Sequence, residues 1–161
     1  MTGRKSSDPD ELADDGPDTA ILLAAGYRVV VDRLLAAMEA AGLTMRPTWG
    51  YVIRALHDQP LPLVRLAELL AVSKQAAQQT VDDMQRAGLV ERHADPDDRR
   101  RKLLALTDDG RRVRATALAV SADLDRELGA DGPALRRALL GLVERHGDLD
   151  DVQARRARMP W

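Results

Sequence analysis

A mainly α-helical chain with one small β-hairpin is the fold class this sequence predicts, and three observations carry it. Long stretches repeat apolar residues at helical spacing. Aromatics supply only 2% of residues and Phe is absent, so the core must be built from Leu, Val, Ala and Met. One pair of partly alternating segments flanks a charged turn, the pattern of a hairpin. At 161 residues and 45% hydrophobic content the chain suffices for one ordinary domain with a continuous core. The formal charge of −2 and pI near 5.9 argue against a uniformly basic coat, but nucleic-acid binding needs only a local patch. With no cysteine, disulfides, thiolate metal sites and cysteine redox sensing are excluded within the chain.

The opening stretch "MTGRKSSDPDELADDGPD" lacks the apolar core of a signal peptide and reads as a flexible acidic tail over residues 1–18. No apolar run approaches the roughly 18 to 20 residues that span a bilayer, so a soluble, cytoplasmic protein is expected. "TAILLAAGYRVVVDRLLAAMEAAGL" is a long helix ending at Gly42. Its apolar residues, Ile21, Leu22, Leu23, Val29, Val30, Val31, Leu34, Leu35 and Met38, fill more than one stripe. One face can meet the domain and another a partner chain. Pro47 suits the opening of a second helix, "TWGYVIRALHDQ", which Pro60 breaks. "LPLVRLAELLAV" sets Leu63, Leu66, Ala67, Leu69 and Leu70 on one side of a short helix. Ser73 then stands where an N-cap should, opening "SKQAAQQTVDDMQRAGLV", which runs to Gly88.

In that helix Ala77, Val81 and Met84 form an inward line, while Lys74, Gln75, Gln78 and Gln79 project outward near its start. Gln can pair twice with adenine, Lys reaches guanine or phosphate, and a helix N-terminus favours phosphate. An ordinary solvated polar face is the competing account. The next segments, "LVERHA" and "KLLALT", can pair as a hairpin around the loop "DPDDRRR". Its arginines then stand at the tip of a projecting ribbon, where a guanidinium can enter a narrow minor groove. Asp97 and Asp98 would repel phosphate, so Asp98 is expected to fold back on an arginine and hold it.

Helix, turn, helix and hairpin is the order of a winged helix-turn-helix, and here the sequence resembles the MarR family of bacterial transcription regulators over roughly Thr19 to Gly147. The motifs that carry the resemblance lie in "LAELLAVSKQAAQQTVDDMQRAGLVERHADPDDRRRKLLALTDDG". They are a recognition helix, a wing with an Asp-x-Arg element and a Leu-Thr-x-x-Gly step into the next helix. The resemblance implies a recognition helix using Ser73, Lys74, Gln75, Gln78 and Gln79. It also implies a wing of Asp98, Arg99, Arg100 and Arg101, with Arg100 entering the minor groove and Arg99 beside it. Trp49 takes the place of a large core aromatic. Thr80, Asp83 and Ala71 depart from the family pattern, where an aliphatic, a basic residue and a glycine are usual. Asp83 can instead pair with Arg86.

After the wing, Thr107 and acidic residues suit a helix start in "TDDGRRVRATALAVSADLDRELGA", and a last helix begins near Pro133. Val113, Leu118, Val120, Leu124, Leu128, Leu135, Leu139, Leu140, Leu142 and Val143 exceed what a small winged unit can cover. The organisation implied is a single domain over 19–147. Its winged helix-turn-helix lies at about 46–107, N- and C-terminal dimerisation helices at about 19–41 and 108–147, and a basic C-terminal tail at 148–161. A two-fold homodimer would set two recognition helices into successive major grooves of a near-palindrome, about 10 base pairs apart.

An enzyme is the competing class. His57, His93 and His146 are the whole histidine supply, no nucleophile elbow surrounds a serine, and no glycine-rich phosphate loop occurs. No histidine pair has metal-ligand spacing on one helix, so neither metal nor cofactor is expected. The resemblance implies a small aromatic or phenolic ligand that releases DNA, with Tyr27, Met38, Met45, Trp49 and Tyr51 as candidate cleft residues; simple core filling is the equal alternative. The reading is a homodimeric, sequence-specific DNA-binding repressor released by a small molecule. A winged helix that binds another protein, and a metal-responsive regulator, stay open.

Overall fold

A computed structural model of the protein describes residues 16–98 and 100–146. Residues 1–15 of the expected acidic tail at 1–18, and all of the expected C-terminal tail at 148–161, lie outside them, as does Arg99. Helix α1 (Thr19–Ala40) opens where the Asp18 carboxylate accepts from the Ile21 N–H at 2.9 Å. It closes at Gly42, whose φ of 66° turns the chain so that the Leu43 N–H returns to the Met38 carbonyl at 2.9 Å. Helix α2 (Trp49–Leu56) starts two residues after Pro47 and ends before Pro60, one turn shorter than the proline spacing suggests. It buries Trp49, Val52, Ile53 and Leu56.

Leu61–Pro62 is a short strand, β1, and not the start of the next helix. It pairs antiparallel with β3 (Lys102–Leu106), which also pairs with β2 (Val90–Ala94), giving a three-stranded sheet in the order β1-β3-β2. The expected hairpin therefore gains an edge strand. Proline is tolerated there because an edge residue need not donate to the ladder. Helix α3 (Leu63–Leu69) buries Leu66 and Ala67, with Leu70 just beyond it, but Leu69 turns outward and is 44% exposed. It lies off the narrow stripe that a two-turn helix can bury.

Between α3 and α4 (Lys74–Arg86), Ala71 adopts φ 49°, a left-handed conformation that costs a residue with a Cβ about 1–2 kcal/mol. The position is the one after a helix C-cap, where glycine is usual. Ala71→Gly should stabilise the fold by up to about 1 kcal/mol, once glycine's greater unfolded-state entropy is set against the relieved strain. Urea denaturation measures this, and an unchanged midpoint would mean that the turn carries no strain.

Helix α4 begins at Ser73, whose hydroxyl accepts from the Ala76 N–H at 3.1 Å, and its Ala77, Val81 and Met84 are buried. Val81 and Met84 join Met38, Leu66, Leu89, Leu104 and Val113 in one core. Val113, grouped above with dimer candidates, thus belongs to the core of its own chain.

Thr107 knots the sheet to α5 (Asp108–Leu128). Its hydroxyl donates to the Gly88 carbonyl at 2.6 Å and accepts from the Gly110 N–H at 3.1 Å, while its own N–H reaches the Leu89 carbonyl at 3.1 Å. The Leu-Thr-x-x-Gly step is thereby explained as packing: a Cβ on Gly110 would lie 2.2 Å from the Leu89 carbonyl oxygen.

A 3-10 turn at Gly129–Asp131 leads to α6 (Gly132–Glu144), which contains no buried residue. Among the described residues no helix is long and apolar enough to cross a membrane.

Candidate nucleic-acid interface

Burial of Ala77, Val81 and Met84 fixes the rotation of α4, and the opposite face then carries Ser73, Lys74, Gln75 and Gln79 in solvent. Gln78 sits at the edge, half-buried, and its Nε2 donates to Asp82 Oδ1 at 2.6 Å. The same oxygen accepts from Arg92 Nη2 of β2 at 3.0 Å. Asp83 faces the other way, paired with Arg86 on its own helix and with Arg46 at 3.4 Å. The Arg46 guanidinium also lies 5.2 Å from the Trp49 ring centroid. Two adjacent acids on a helix expected to approach DNA are thus neutralised by cations from separate elements, and Asp83 takes the Arg86 partner that the helical spacing offered.

The wing loop joins Ala94 to Lys102, the last register pair of the hairpin. Asp95 is 2% exposed. It accepts from the Asp97 N–H at 3.0 Å through one oxygen and from Arg101 Nε at 2.5 Å through the other, while its own N–H meets the Arg101 carbonyl.

This corrects the role expected of Asp98. Its carboxylate accepts from the backbone N–H of Arg100 at 2.9 Å, and the acid that holds an arginine side chain is Asp95, gripping Arg101. A carboxylate two residues before an amide closes a local turn more readily than it reaches that residue's guanidinium. Arg101 therefore builds the loop, whereas Arg100 is exposed and has no ion-pair partner among the described residues.

The Asp97 N–H above all, opposed by burial and reinforced by the Arg101 guanidinium, holds the Asp95 carboxyl below its ordinary range. A lowered folded-state value means that the bound form stabilises the loop fully above the unfolded carboxyl's value, about 3.9, and is lost as pH falls through the lower folded one. NMR signals of the Asp97 amide and the Arg101 Nε–H should thus hold steady down to about pH 4 and move only below it. A midpoint above that pH would contradict the geometry.

Helix and wing share one groove. Pro62, Leu63, Val64, Arg65 and Glu68 line it from one side, and Lys74, Gln78, Arg100, Arg101 and Lys102 complete it. Arg65 and Lys102 were missed in the sequence. The only signal is their place beside the helix start and the wing, which becomes informative once β1 brings α3 against β3. Arg65 is partly neutralised by Glu68 at 3.0 Å.

The five candidate cleft residues do not converge. Met38 and Trp49 are buried core, Met45 and Tyr51 pack against that core, and Tyr27 lines a surface groove with Leu23, Arg28 and Leu142. A separate cleft opens between α2 and α5, lined by Met45, Gly50, Ile53, Arg54, His57, Val113, Arg114, Ala117, Leu118 and Ser121. Among the described residues no cluster of three or more His, Asp or Glu side chains could hold a metal ion.

Fold and groove define a winged helix-turn-helix protein. The profile of the MarR family matches residues 41–101. The chain is 34% identical over 77 residues to the transcriptional regulator HosA of Escherichia coli O111:H-, a match covering 47% of this chain and 57% of that protein. The chain thus spans little more than half the length of that relative. Among solved structures, the YusO protein from Bacillus subtilis superposes with a TM-score of 0.59 at 25% identity, covering 88% of this chain and 99% of that one. The transcriptional repressor CouR, solved bound to a 23-mer DNA duplex, gives 0.58 at 25% identity over 87% and 97% of the two chains.

Proposed function

We propose that this protein is a homodimeric, sequence-specific DNA-binding regulator of transcription, acting as a repressor. The observation that carries the reading is the shared groove, in which Lys74 and Gln78 of α4 face Arg100 and Lys102 of the wing. Hydrogen-bonding side chains suited to base edges and cations suited to phosphate thus lie on one surface of a chain whose overall charge is slightly negative. In this reading Lys74, Gln75, Gln78 and Gln79 lie in the major groove, with the α4 N-terminus at Ser73 toward phosphate. Arg100, with Arg99 beside it, enters the minor groove, and Arg101 keeps the loop in shape. The DNA duplex bound to CouR is in keeping with this.

Dimerisation is supported by apolar side chains that the single chain leaves in solvent. Ile21 and Leu22 of α1, Leu118 of α5 and Leu135, Leu139, Leu140 and Leu142 of α6 are all exposed. An apolar set of that extent on three helices marks an association surface. The proposed organisation is a winged segment at about 46–107 carried by dimerisation helices at about 19–41 and 108–147. The cleft between α2 and α5 supports release by a small aromatic ligand. It has an apolar floor at Met45, Ile53 and Val113, and polar groups at His57, Arg114 and Ser121.

The deciding experiment is a titration of the full chain onto the DNA flanking its own coding region, at two salt concentrations, with random duplex as competitor. Tight, competitor-resistant binding that weakens steeply with salt is expected. Binding that is weak, salt-independent and equal on both duplexes would favour a protein-binding winged helix instead.

A further inference from the structure

A carboxylate on a DNA-reading helix needs a reason, because it repels the phosphates that the rest of the groove attracts. Asp82 occupies such a place. One of its oxygens accepts from Gln78 Nε2 at 2.6 Å and from Arg92 Nη2 at 3.0 Å. An ionised carboxylate only accepts, so the amide end of Gln78 turned toward it must be the nitrogen. The two ends of a free glutamine amide interchange by rotation about one bond; at Gln78 that freedom is removed. The Arg92 cation meanwhile offsets the charge of Asp82, which leaves its orienting effect without a net repulsive one.

We infer that Asp82 is a positioning residue for base recognition: it holds the Gln78 amide with its oxygen presented as an acceptor, and so makes Gln78 select adenine. This rests on the DNA-binding reading above. Adenine offers an N6 amino donor beside the N7 acceptor in the major groove, matching one fixed oxygen and the remaining N–H of the amide. Guanine offers two acceptors, N7 and O6, to which a free amide could turn both N–H groups, whereas at Gln78 one N–H is committed to Asp82 and the fixed oxygen would oppose O6. Arg92 serves a different purpose, neutralisation, so the two partners of Asp82 are separable by experiment.

The test is selection of bound duplexes from a randomised DNA pool by the full-length parent, Asp82→Ala, Arg92→Ala and Gln78→Ala. The parent should favour adenine over guanine at one position of each half-site by roughly tenfold, the discrimination of a good paired contact. Asp82→Ala should bring the two bases to within about threefold at that position alone. Arg92→Ala should keep the preference, although its overall binding weakens, and Gln78→Ala should abolish it with no further change on adding Asp82→Ala. Because the readout is one position's preference, general loss of fold would not imitate it. An unchanged preference in Asp82→Ala, or equal loss at every position, overturns the inference and leaves the DNA-binding reading standing. A parent that selects no sequence overturns both.

Discussion

Gly110→Ala should cost about 3 kcal/mol of folding stability, at the upper end of overpacking effects, although alanine is the better helix former by about 1 kcal/mol. The added Cβ would stand 2.2 Å from the Leu89 carbonyl oxygen and 3.2 Å from its carbon. These are backbone atoms, and the oxygen is already held by the Thr107 N–H. No side chain can swing away to relieve the contact, so α5 must withdraw from the sheet or the chain at Leu89 must shift. Either movement loosens the Thr107 hydroxyl from Gly88 as well. Chemical denaturation of the two proteins side by side gives the number. A loss below about 1 kcal/mol would mean that the α5 junction yields easily, contrary to the packing described.

Arg100→Ala should leave the fold unchanged and weaken operator binding by about 1–3 kcal/mol. The side chain is exposed and has no ion-pair partner among the described residues, so removing it breaks no ion pair among them. The loop around it is set by backbone contacts to Asp95 and Asp98, which the substitution keeps. Thermal melting should therefore coincide with the parent, while the operator titration in the same salt shifts. Arg101→Ala supplies the contrast, because it removes the Asp95 partner and should disturb the loop's amide signals as well. Equal operator affinity for Arg100→Ala and parent would remove Arg100 from the interface.

Much of this arrangement is legible in the sequence wherever the cause is local. Ser73 and Thr107 announce helix starts because a hydroxyl caps amides only a few residues away, and Gly42 and Gly88 announce ends because a left-handed residue is needed there. The spacing of Ala77, Val81 and Met84 gives the buried face of α4 and hence the exposed one.

What the sequence hides is settled by partners distant along the chain. Leu61–Pro62 becomes a strand only because β3 offers an open edge, and a proline-containing pair has no strand pattern of its own. Aspartates in the wing look interchangeable until the loop closes, when Asp95 is buried against Arg101 and Asp98 is left to the backbone. Asp82 shows no role until β2 brings Arg92 beside it. The five cleft candidates share apolar and aromatic character, which marks core residues as readily as cavity walls, and Met38 and Trp49 proved to be core.

Helix α6 buries no residue within its own chain. At 13 residues it is also near the length at which an isolated helix is only marginally formed in water. Its order must then be borrowed from whatever covers its leucines, and with a second copy as that cover, helicity becomes a matter of mass action. The melting temperature would rise with protein concentration, and a dilute sample would lose its C-terminal helix before its winged unit. Regulation by abundance would thus be built into the molecule: below the dissociation constant of the pair, a chain could still fold its groove but would present only half of a palindrome's reader.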